Sequence, residues 1–381
     1  MNSAEHEGLR PKGNVPNLRF PEFEGEWEKC KLGDITQNFN RRNKEKIQYP
    51  MFSVTNERGF VPQSEQFEGR DMVGDDIKAY KIIQSQEFAY NPARINVGSI
   101  AMYSGKAPCM ISSLYVCFKT TQKVDDEWLM QLLKTAKLNY CYNVNGEGGV
   151  RVYLFYPNFA RIRVSLPSLT EQKKIACFLN LLDERISTQN KIIDKLQSLI
   201  KGIRDGAFGK LRKSVGFNAM IGDVLSYEQP QSYIVEDTEY TNEGTPVLTA
   251  NKAFVLGYTS EIEGIYDKGD CIIFDDFTLD CKYVDFPFMV KSSAIKILTA
   301  KNKELLRYTF EFLKYLDLST NEHKRHYIAE TQNQEFILPT VQIVKTIAHA
   351  FSALSLWQET VVKQRYAFEK QKQYLLRQMF I

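Results

Sequence analysis

The chain has 381 residues, of which 43% are apolar and 25% are charged, and its formal net charge at pH 7 is +3. This composition is typical of a globular protein of two or three domains, and the near-neutral charge neither requires nor excludes nucleic acid as a partner. The sequence contains no run of about 18 apolar residues, so no membrane span is predicted. The amino terminus also has no apolar run typical of a secretory signal. We expect a cytoplasmic protein whose seven cysteines are reduced thiols.

A first globular block is predicted before residue 166. Short runs of β-forming residues at Ser99–Tyr103 and Leu114–Phe118 predict strands, and an amphipathic pattern near Glu127–Lys137 predicts one helix. Gly, Pro and Asn residues separate these elements and predict loops between them.

A long amphipathic helix is predicted after Leu166-Pro167, extending to Phe208. Its apolar residues alternate at spacings of three and four, which is a heptad pattern whose apolar seam must pair with another helix. Gln189 is a polar interruption of this seam. The seam residues are Ile175, Leu179, Leu182, Ile186, Ile193, Leu196, Ile200 and Ile203.

The same helix pattern recurs 172 residues later, because Leu338-Pro339 corresponds to Leu166-Pro167 (338 − 166 = 172). Two seams in one chain pair most simply with each other. The second seam has polar residues in the middle of one line, with Gln358, Arg365 and Lys372. Its apolar line consists of Ile347, Leu354, Val361, Phe368 and Leu375.

A second block between the two helices repeats the first one more weakly. Leu32–Ile35 resembles Ile221–Val224, and Ser112-Ser113 resembles Ser292-Ser293. Strands are predicted again, and a helix follows them. The predicted strands are Cys271–Phe274 and Ala294–Leu298, and the predicted helix is Lys303–Leu316.

These patterns predict an α+β protein with an internal pseudo-two-fold repeat. Two globular α/β blocks are separated by two long antiparallel coiled-coil helices. The expected boundaries are 1–165 for the first block with its amino-terminal extension, 166–210 for the central helix, 211–336 for the second block and 337–381 for the carboxyl-terminal helix.

No motif predicts a catalytic, cofactor-binding or metal-binding residue. Asn91-Pro92-Ala93-Arg94 lacks the second proline and the aromatic residue of an adenine methyltransferase loop. Tyr103–Ala107 lacks the spacing of a phosphate-binding loop. His323 and His326 have no acidic or thiol partners at ligand spacing.

Polar loops of both blocks carry Arg, Lys and Asn residues that suit DNA contacts. Arg and Asn side chains bind guanine and adenine edges in pairs of hydrogen bonds, and basic side chains bind phosphates. The alternatives are a solvated charge run and structural turns. The candidates are Arg41, Arg42, Lys44, Asn56, Asn91, Arg94, Asn96, Lys106 and Arg151 in the first block, and Asn251, Lys252, Lys324 and Arg325 in the second.

Three segments resemble the specificity subunit of type I restriction–modification enzymes. They read PNLRFPEFEGEWEKCKLGDI at Pro16–Ile35, LPSLTEQKKIACFLNLLDERI at Leu166–Ile186, and YLLRQMFI at the carboxyl end. The resemblance covers essentially the whole chain, including the order of blocks and helices. The second helix start departs from the pattern, because it lacks the Glu171-Gln172 pair of the first.

The resemblance implies that each block is a target recognition domain that reads one half of a bipartite sequence in double-stranded DNA. The helices would set the half-site spacing and dock two modification (methyltransferase) subunits, which restriction (motor-nuclease) subunits join. S-adenosylmethionine, ATP and Mg would be bound by those partners, and this chain would be non-catalytic, with no cofactor. A stand-alone DNA methyltransferase or nuclease, disfavoured by the missing motifs, and a coiled-coil scaffold without a DNA role are the alternatives.

Overall fold

The computed structural model describes residues 13–66, 77–148, 152–250, 253–320, 322 and 324–381. The chain forms two compact units, one of Met1–Thr188 with Arg365–Ile381 and one of Gln189–Gln364. Both boundaries fall inside long helices, so each unit contains a part of both. Within the described ranges, no helix combines the length and the hydropathy that crossing a membrane requires.

The helices of the described residues are α1 (Leu32–Ile35), α2 (Gln63–Gln66), α3 (Asp126–Leu133), α4 (Ala136–Asn145), α5 (Tyr156–Arg161), α6 (Leu169–Ser214), α7 (Ile221–Val224), α8 (Leu306–Leu316) and α9 (Val341–Met379). The strands of the same residues are β1 (Glu28–Lys31), β2 (Thr36–Phe39), β3 (Phe52–Thr55), β4 (Gly59–Pro62), β5 (Lys81–Ile83), β6 (Phe88–Tyr90), β7 (Ile100–Met102), β8 (Cys109–Ile111), β9 (Val116–Thr120), β10 (Arg163–Leu166), β11 (Ala219–Met220), β12 (Leu225–Glu228), β13 (Thr245–Leu248), β14 (Val255–Thr259), β15 (Cys271–Asp275), β16 (Cys281–Val284), β17 (Met289–Val290), β18 (Ile295–Ala300) and β19 (Glu335–Phe336).

A four-stranded antiparallel sheet of order β2-β9-β6-β7 lies at the centre of the first unit. Its residues Phe88 and Phe118 stack with ring centroids 4.9 Å apart, and Trp128 of α3 is buried in the same core. The predicted single helix here is two helices, because the Thr135 side chain accepts a hydrogen bond from the Leu138 amide and so starts α4.

The second unit repeats this sheet strand for strand, in the order β12-β18-β15-β16. Short helices α1 and α7 precede the first strand of each four-stranded sheet, and both begin the same way. The Asp34 carboxylate accepts a hydrogen bond from the Lys31 amide at 2.7 Å, and the Asp223 carboxylate accepts one from the Met220 amide at 2.8 Å. The internal repeat predicted from the sequence is therefore confirmed at the level of topology and capping.

In the first unit, the beginning of α6 packs antiparallel against the end of α9. The Lys372 ammonium lies 2.6 Å from the Asp183 carboxylate, and the Arg185 guanidinium lies 5.9 Å from the Phe368 ring centroid. Lys372, one of the polar seam residues, is thus neutralised by a carboxylate of the facing helix. The apolar seam residues buried in this core are Ile175, Leu179, Leu182 and Leu375.

In the second unit, the end of α6 packs antiparallel against the beginning of α9, with Phe208 and Val344 in one core. Ile203 of the predicted seam is 39% exposed, whereas the neighbouring Arg204 side chain is 13% exposed and lies over the Phe351 ring. A helix of 3.6 residues per turn drifts by about 20° per heptad, so the buried stripe has moved one residue by this point. Leu196, Ile200 and Val361 are buried as predicted.

The Glu-Gln pair missing from the second helix start has a structural role in the first. Glu171 is 1% exposed and accepts hydrogen bonds from Arg19 at 2.7 Å and from the Trp27 indole at 3.2 Å. The buried Gln172 side chain bonds the backbone at Asp125, Lys123 and Pro167. Glu171 therefore holds the segment before β1 against the helix.

We predict that Glu171→Ala destabilises the first unit by about 1.5–3 kcal/mol, because it removes the charged acceptor of the Arg19 guanidinium and the Trp27 indole. Urea unfolding followed by tryptophan fluorescence measures this loss. Hydrogen exchange at the Leu18 amide, which donates to the Gln378 carbonyl at 2.9 Å, tests whether the segment detaches.

The matched control is Glu22→Gln, which breaks the half-exposed ion pair with Lys174. Exposed pairs contribute less than about 1 kcal/mol. Equal effects of the two substitutions would contradict the role assigned to Glu171.

Candidate nucleic-acid interface

The loop between β6 and β7 presents polar side chains on a tightly bonded backbone. The Asn91 carboxamide oxygen accepts a hydrogen bond from the Ala93 amide at 3.0 Å, and the Arg94 amide donates to the Asn91 carbonyl at 3.0 Å. The Ser99 hydroxyl donates to the Val54 carbonyl of β3 at 2.7 Å. This bonding holds the Asn91 and Arg94 side chains at defined positions on the unit's surface.

Two neighbouring depressions share the residues of this loop. The first cleft, of about 560 Å³, is bordered by β3 and the turn after it, and the second cleft, of about 780 Å³, is bordered by Val152, Tyr153 and Phe155. Three residues line both clefts: Asn91, Arg94 and Leu114.

Asn56 joins this group, because it lies in the turn between β3 and β4 and lines the first cleft. Gly98 has a φ of 98°, a left-handed conformation that favours glycine. A side chain there would come within 3.6 Å of the Asn56 carbonyl. The structure therefore brings together Asn56, Asn91 and Arg94, which the sequence presents as separate candidates.

Asn96 also lines the second cleft, where its amide donates to the Asn143 side chain at 2.9 Å. Lys106 is exposed in the segment between β7 and β8 and lines neither cleft.

The basic loop after β2 is held by a buried asparagine. Asn43 is 0% exposed, and its carboxamide donates to the Ile47 carbonyl and accepts from the Ile47 amide. The side chains of Arg42 and Lys44, on either side of it, are exposed. Arg41 is instead committed within the unit, because its guanidinium forms two 2.8 Å hydrogen bonds to Glu87. Those bonds raise the pKa of Arg41.

Sequence reasoning missed three apolar members of the surface. Leu114 is 76% exposed, and the exposed Tyr153 and Phe155 rings are nearly parallel, with centroids 6.3 Å apart. The sequence Tyr153-Leu154-Phe155 could have indicated the exposed aromatic pair, because alternate residues of an extended segment face opposite sides and Leu154 is fully buried. Leu114 follows the Ser112-Ser113 pair that recurs in the second block.

The corresponding loop of the second unit, between β15 and β16, starts with the same kind of turn. The Asp275 carboxylate accepts hydrogen bonds from the Phe277 and Thr278 amides at 2.9 and 3.0 Å, and Asp275 occupies the register position of Asn91. The next residue, Asp276, is 1% exposed. Its carboxylate accepts hydrogen bonds from the His326 and Tyr327 amides at 3.0 and 2.7 Å.

Asp276 also faces two cations. The buried Lys296 ammonium lies 3.5 Å from its carboxylate, and the Arg325 guanidinium, on a half-exposed side chain, lies 3.7 Å from it. Burial lowers the pKa of Lys296, and the negative charge of Asp276 opposes that shift. The network holds the segment before α9 against the sheet.

Of the second-block candidates, Arg325 is therefore placed at the edge of the loop by Asp276. Lys324 forms ion pairs with Glu322 and Glu330 at 2.5 and 2.8 Å, and these hydrogen bonds raise its pKa. Three further predicted DNA-contacting residues lie outside the described residues: Arg151, Asn251 and Lys252.

Burial makes three of the thiols unreactive at neutral pH. All seven cysteines are free, and burial raises the pKa of Cys109, Cys117 and Cys271 to about 12. Such thiols are not nucleophiles at neutral pH. Across the described residues, no three or more His, Cys, Asp or Glu side chains cluster as metal ligands would.

Comparison with known proteins shows a similarity over part of the chain. The family model described as the type I restriction modification DNA specificity domain matches residues 24–198. The specificity subunit of the type I restriction enzyme EcoR124I/EcoR124II of Escherichia coli is 44% identical over 126 residues, which are 31% of this chain and 31% of that protein. The matched part of this chain is therefore similar to the DNA specificity domain of type I restriction–modification systems. A putative type I MjaX specificity subunit of Methanocaldococcus jannaschii is 25% identical over 207 residues, 52% of this chain and 49% of that protein. The chain thus matches less than half the length of these two relatives.

Solved structures of low sequence identity share the fold of this chain. The crystal structure of the S subunit of the type I restriction-modification system from M. genitalium has a TM-score of 0.65 and 13% identity, over 96% of this chain and 99% of that one. A structure from work on complex assembly and conformational transition of the type I R-M system has a TM-score of 0.51 and 13% identity, over 92% and 96%. The predicted mixed fold with a long helix between two domains is confirmed.

We predict that Asp276→Asn destabilises the second unit by about 3–5 kcal/mol, because the carboxamide still accepts the two amide bonds but leaves Lys296 buried without a counter-charge. Denaturant unfolding monitored by hydrogen exchange at the His326 and Tyr327 amides measures the loss. Adding Lys296→Met should recover most of it.

Glu228→Gln is the matched control, since it removes the charge from a partly exposed ion pair with Lys268 and should cost less than about 1 kcal/mol. A failure of Lys296→Met to restore stability would show that the buried charge is not the cause.

Proposed function

We propose that the chain is the DNA-reading subunit of a type I restriction–modification complex, and that each unit reads one half of a bipartite sequence in double-stranded DNA. The proposal rests on the similarity to type I specificity subunits together with one structural observation. The two units have the same sheet, and the loops that follow β6 and β15 begin with the same hydrogen-bonded turn. That loop carries Asn91 and Arg94 in the first unit and Asp275 and Asp276 in the second.

Such a pair of scaffolds suits two different half-sites. Phosphate contacts position a protein on the duplex without selecting a sequence, and side chains that reach base edges select it. Arg94 can donate two hydrogen bonds to guanine, and Asn56 or Asn91 can bond adenine in the same way. Exposed basic side chains such as Arg42 and Lys44 suit phosphates.

The remaining parts of the proposal concern partners. We propose that the surfaces of α6 and α9 dock two modification subunits, that restriction subunits join them, and that these partners carry S-adenosylmethionine, ATP and Mg. The chain itself is then non-catalytic and acts in the cytoplasm. The raised pKa values of its buried thiols and the missing methyltransferase loop support a binding role.

We predict that exchanging residues 217–335 for those of a family member with another target changes one half of the methylated sequence and leaves the other half unaltered. The physical reason is that the second sheet and its loops lie in one compact unit, whose core they complete with the parts of α6 and α9 that the exchange leaves in place. A genome-wide map of methylated adenines in a host that carries the chimera and its modification subunits is the measurement.

The reciprocal exchange of residues 28–165 is the control, and it should change the other half alone. If either chimera altered both halves, the assignment of one half-site to each unit would be wrong. A scaffold without a DNA role predicts an unaltered map for both.

We also propose that the helical segments set the spacing between the half-sites. Lengthening α6 within its exposed middle and α9 to match, by one heptad each, keeps the seam in phase and should widen the gap in the methylated sequence. Substituting exposed residues at the same positions without lengthening is the control. If the lengthened helices left the gap between the two methylated half-sites unaltered, the spacing role would be refuted.

A further inference from the structure

Leu114 stands out among the side chains of the first unit's clefts. It is 76% exposed and lines both clefts beside Asn91 and Arg94. A single exposed leucine needs no explanation. This one, however, continues into the exposed apolar side chains of Val97, Tyr153 and Phe155, so the second cleft has an apolar wall next to a polar ridge.

The turn that carries Leu114 is rigidly attached to the unit. The Leu114 amide lies 3.4 Å from the Ser112 hydroxyl, and the Tyr115 amide donates to the Ser112 carbonyl at 3.2 Å. The Tyr115 hydroxyl accepts from the Val54 amide at 3.2 Å, and its carbonyl accepts from the Lys81 ammonium at 2.6 Å. The leucine side chain is therefore presented at a fixed place although it makes little contact with the core.

The second unit contains the same turn with a different side chain. The Ala294 amide lies 3.3 Å from the Ser292 hydroxyl, and the Ile295 amide lies 3.4 Å from the Ser292 carbonyl. Ala294 occupies the position of Leu114 when the two sheets are aligned by strand register. Since the turn forms equally well with alanine, folding does not require the larger side chain.

We propose that Leu114 is a specificity-determining residue that contacts the 5-methyl group of a thymine in the half-site read by the first unit. The thymine methyl is the apolar group that base-pair edges display in the major groove, and apolar side chains recognise it there. Asn91 and Arg94, on the ridge shared with Leu114, have the donors and acceptors that fit the adjacent base edges. This inference rests on the proposed function.

The test uses the full chain in complex with its modification subunits and DNA that carries its methylated target. The half-site that survives exchange of residues 217–335 is the one read by the first unit. Each thymine of that half-site is replaced in turn by uracil, which removes the methyl group and keeps every hydrogen bond. We expect one replacement to weaken binding by roughly three- to five-fold.

The substitution Leu114→Ala, which copies Ala294, should weaken binding to the thymine target to a similar extent. The uracil replacement should then cause no further loss, since both changes remove the same contact. Uracil in the other half-site should affect the two proteins equally, and Ile262→Ala, at an 86% exposed residue of the second unit, should preserve the uracil effect. Leu114 is exposed, so its variant is expected to fold, and circular dichroism checks this.

The outcomes separate the two proposals. A complex that neither binds nor methylates DNA selectively would refute the proposed function. Selective binding that no uracil replacement in the first half-site weakens, or a uracil effect that persists in Leu114→Ala, would overturn this inference and leave the proposed function intact.

Discussion

Burial of the apolar stripes on the two long helices is the constraint on which both units depend. Neither unit is built from one continuous part of the described chain, because the core of each takes residues from α6 and α9. In the first unit, the Phe380 ring near the chain end lies 5.8 Å from Trp128 of α3. In the second, Phe208 of α6 packs against Phe312 and Tyr315 of α8. A recognition surface in either unit thus rests on a core that needs both helices.

Buried carboxylates organise the segments that the helices and sheets do not. Glu171 binds the amino-terminal segment through Arg19 and Trp27. Asp276 binds the segment before α9 through two backbone amides and Arg325, and it also pairs with Lys296 of β18. Desolvating such charges is unfavourable unless their partners are in place. They therefore select one arrangement of segments that have little regular structure of their own.

The loops after β6 and β15 show how the same backbone turn can present different side chains in the two units. Side chains of Asn91 and Asp275 make the same backbone turn, and Ser112 and Ser292 make a second shared turn beside it. The turns depend on short polar side chains bonding nearby amides. The neighbouring positions, including Leu114 and Ala294, are free to differ without disturbing the fold.

The sequence alone determined the features that arise from local periodicity and repetition: two blocks, two long helices, their heptad seams and the paired turn residues. It also indicated Asn56, Asn91 and Arg94, since Arg and Asn in loops are chemically suited to bases. Tertiary structure decided which of these meet. It paired Arg41 with Glu87, exposed Ile203, and placed Leu114 beside Asn91. Strand pairing, buried charges and helix drift produce these outcomes, because they join residues far apart in the chain or accumulate over many turns.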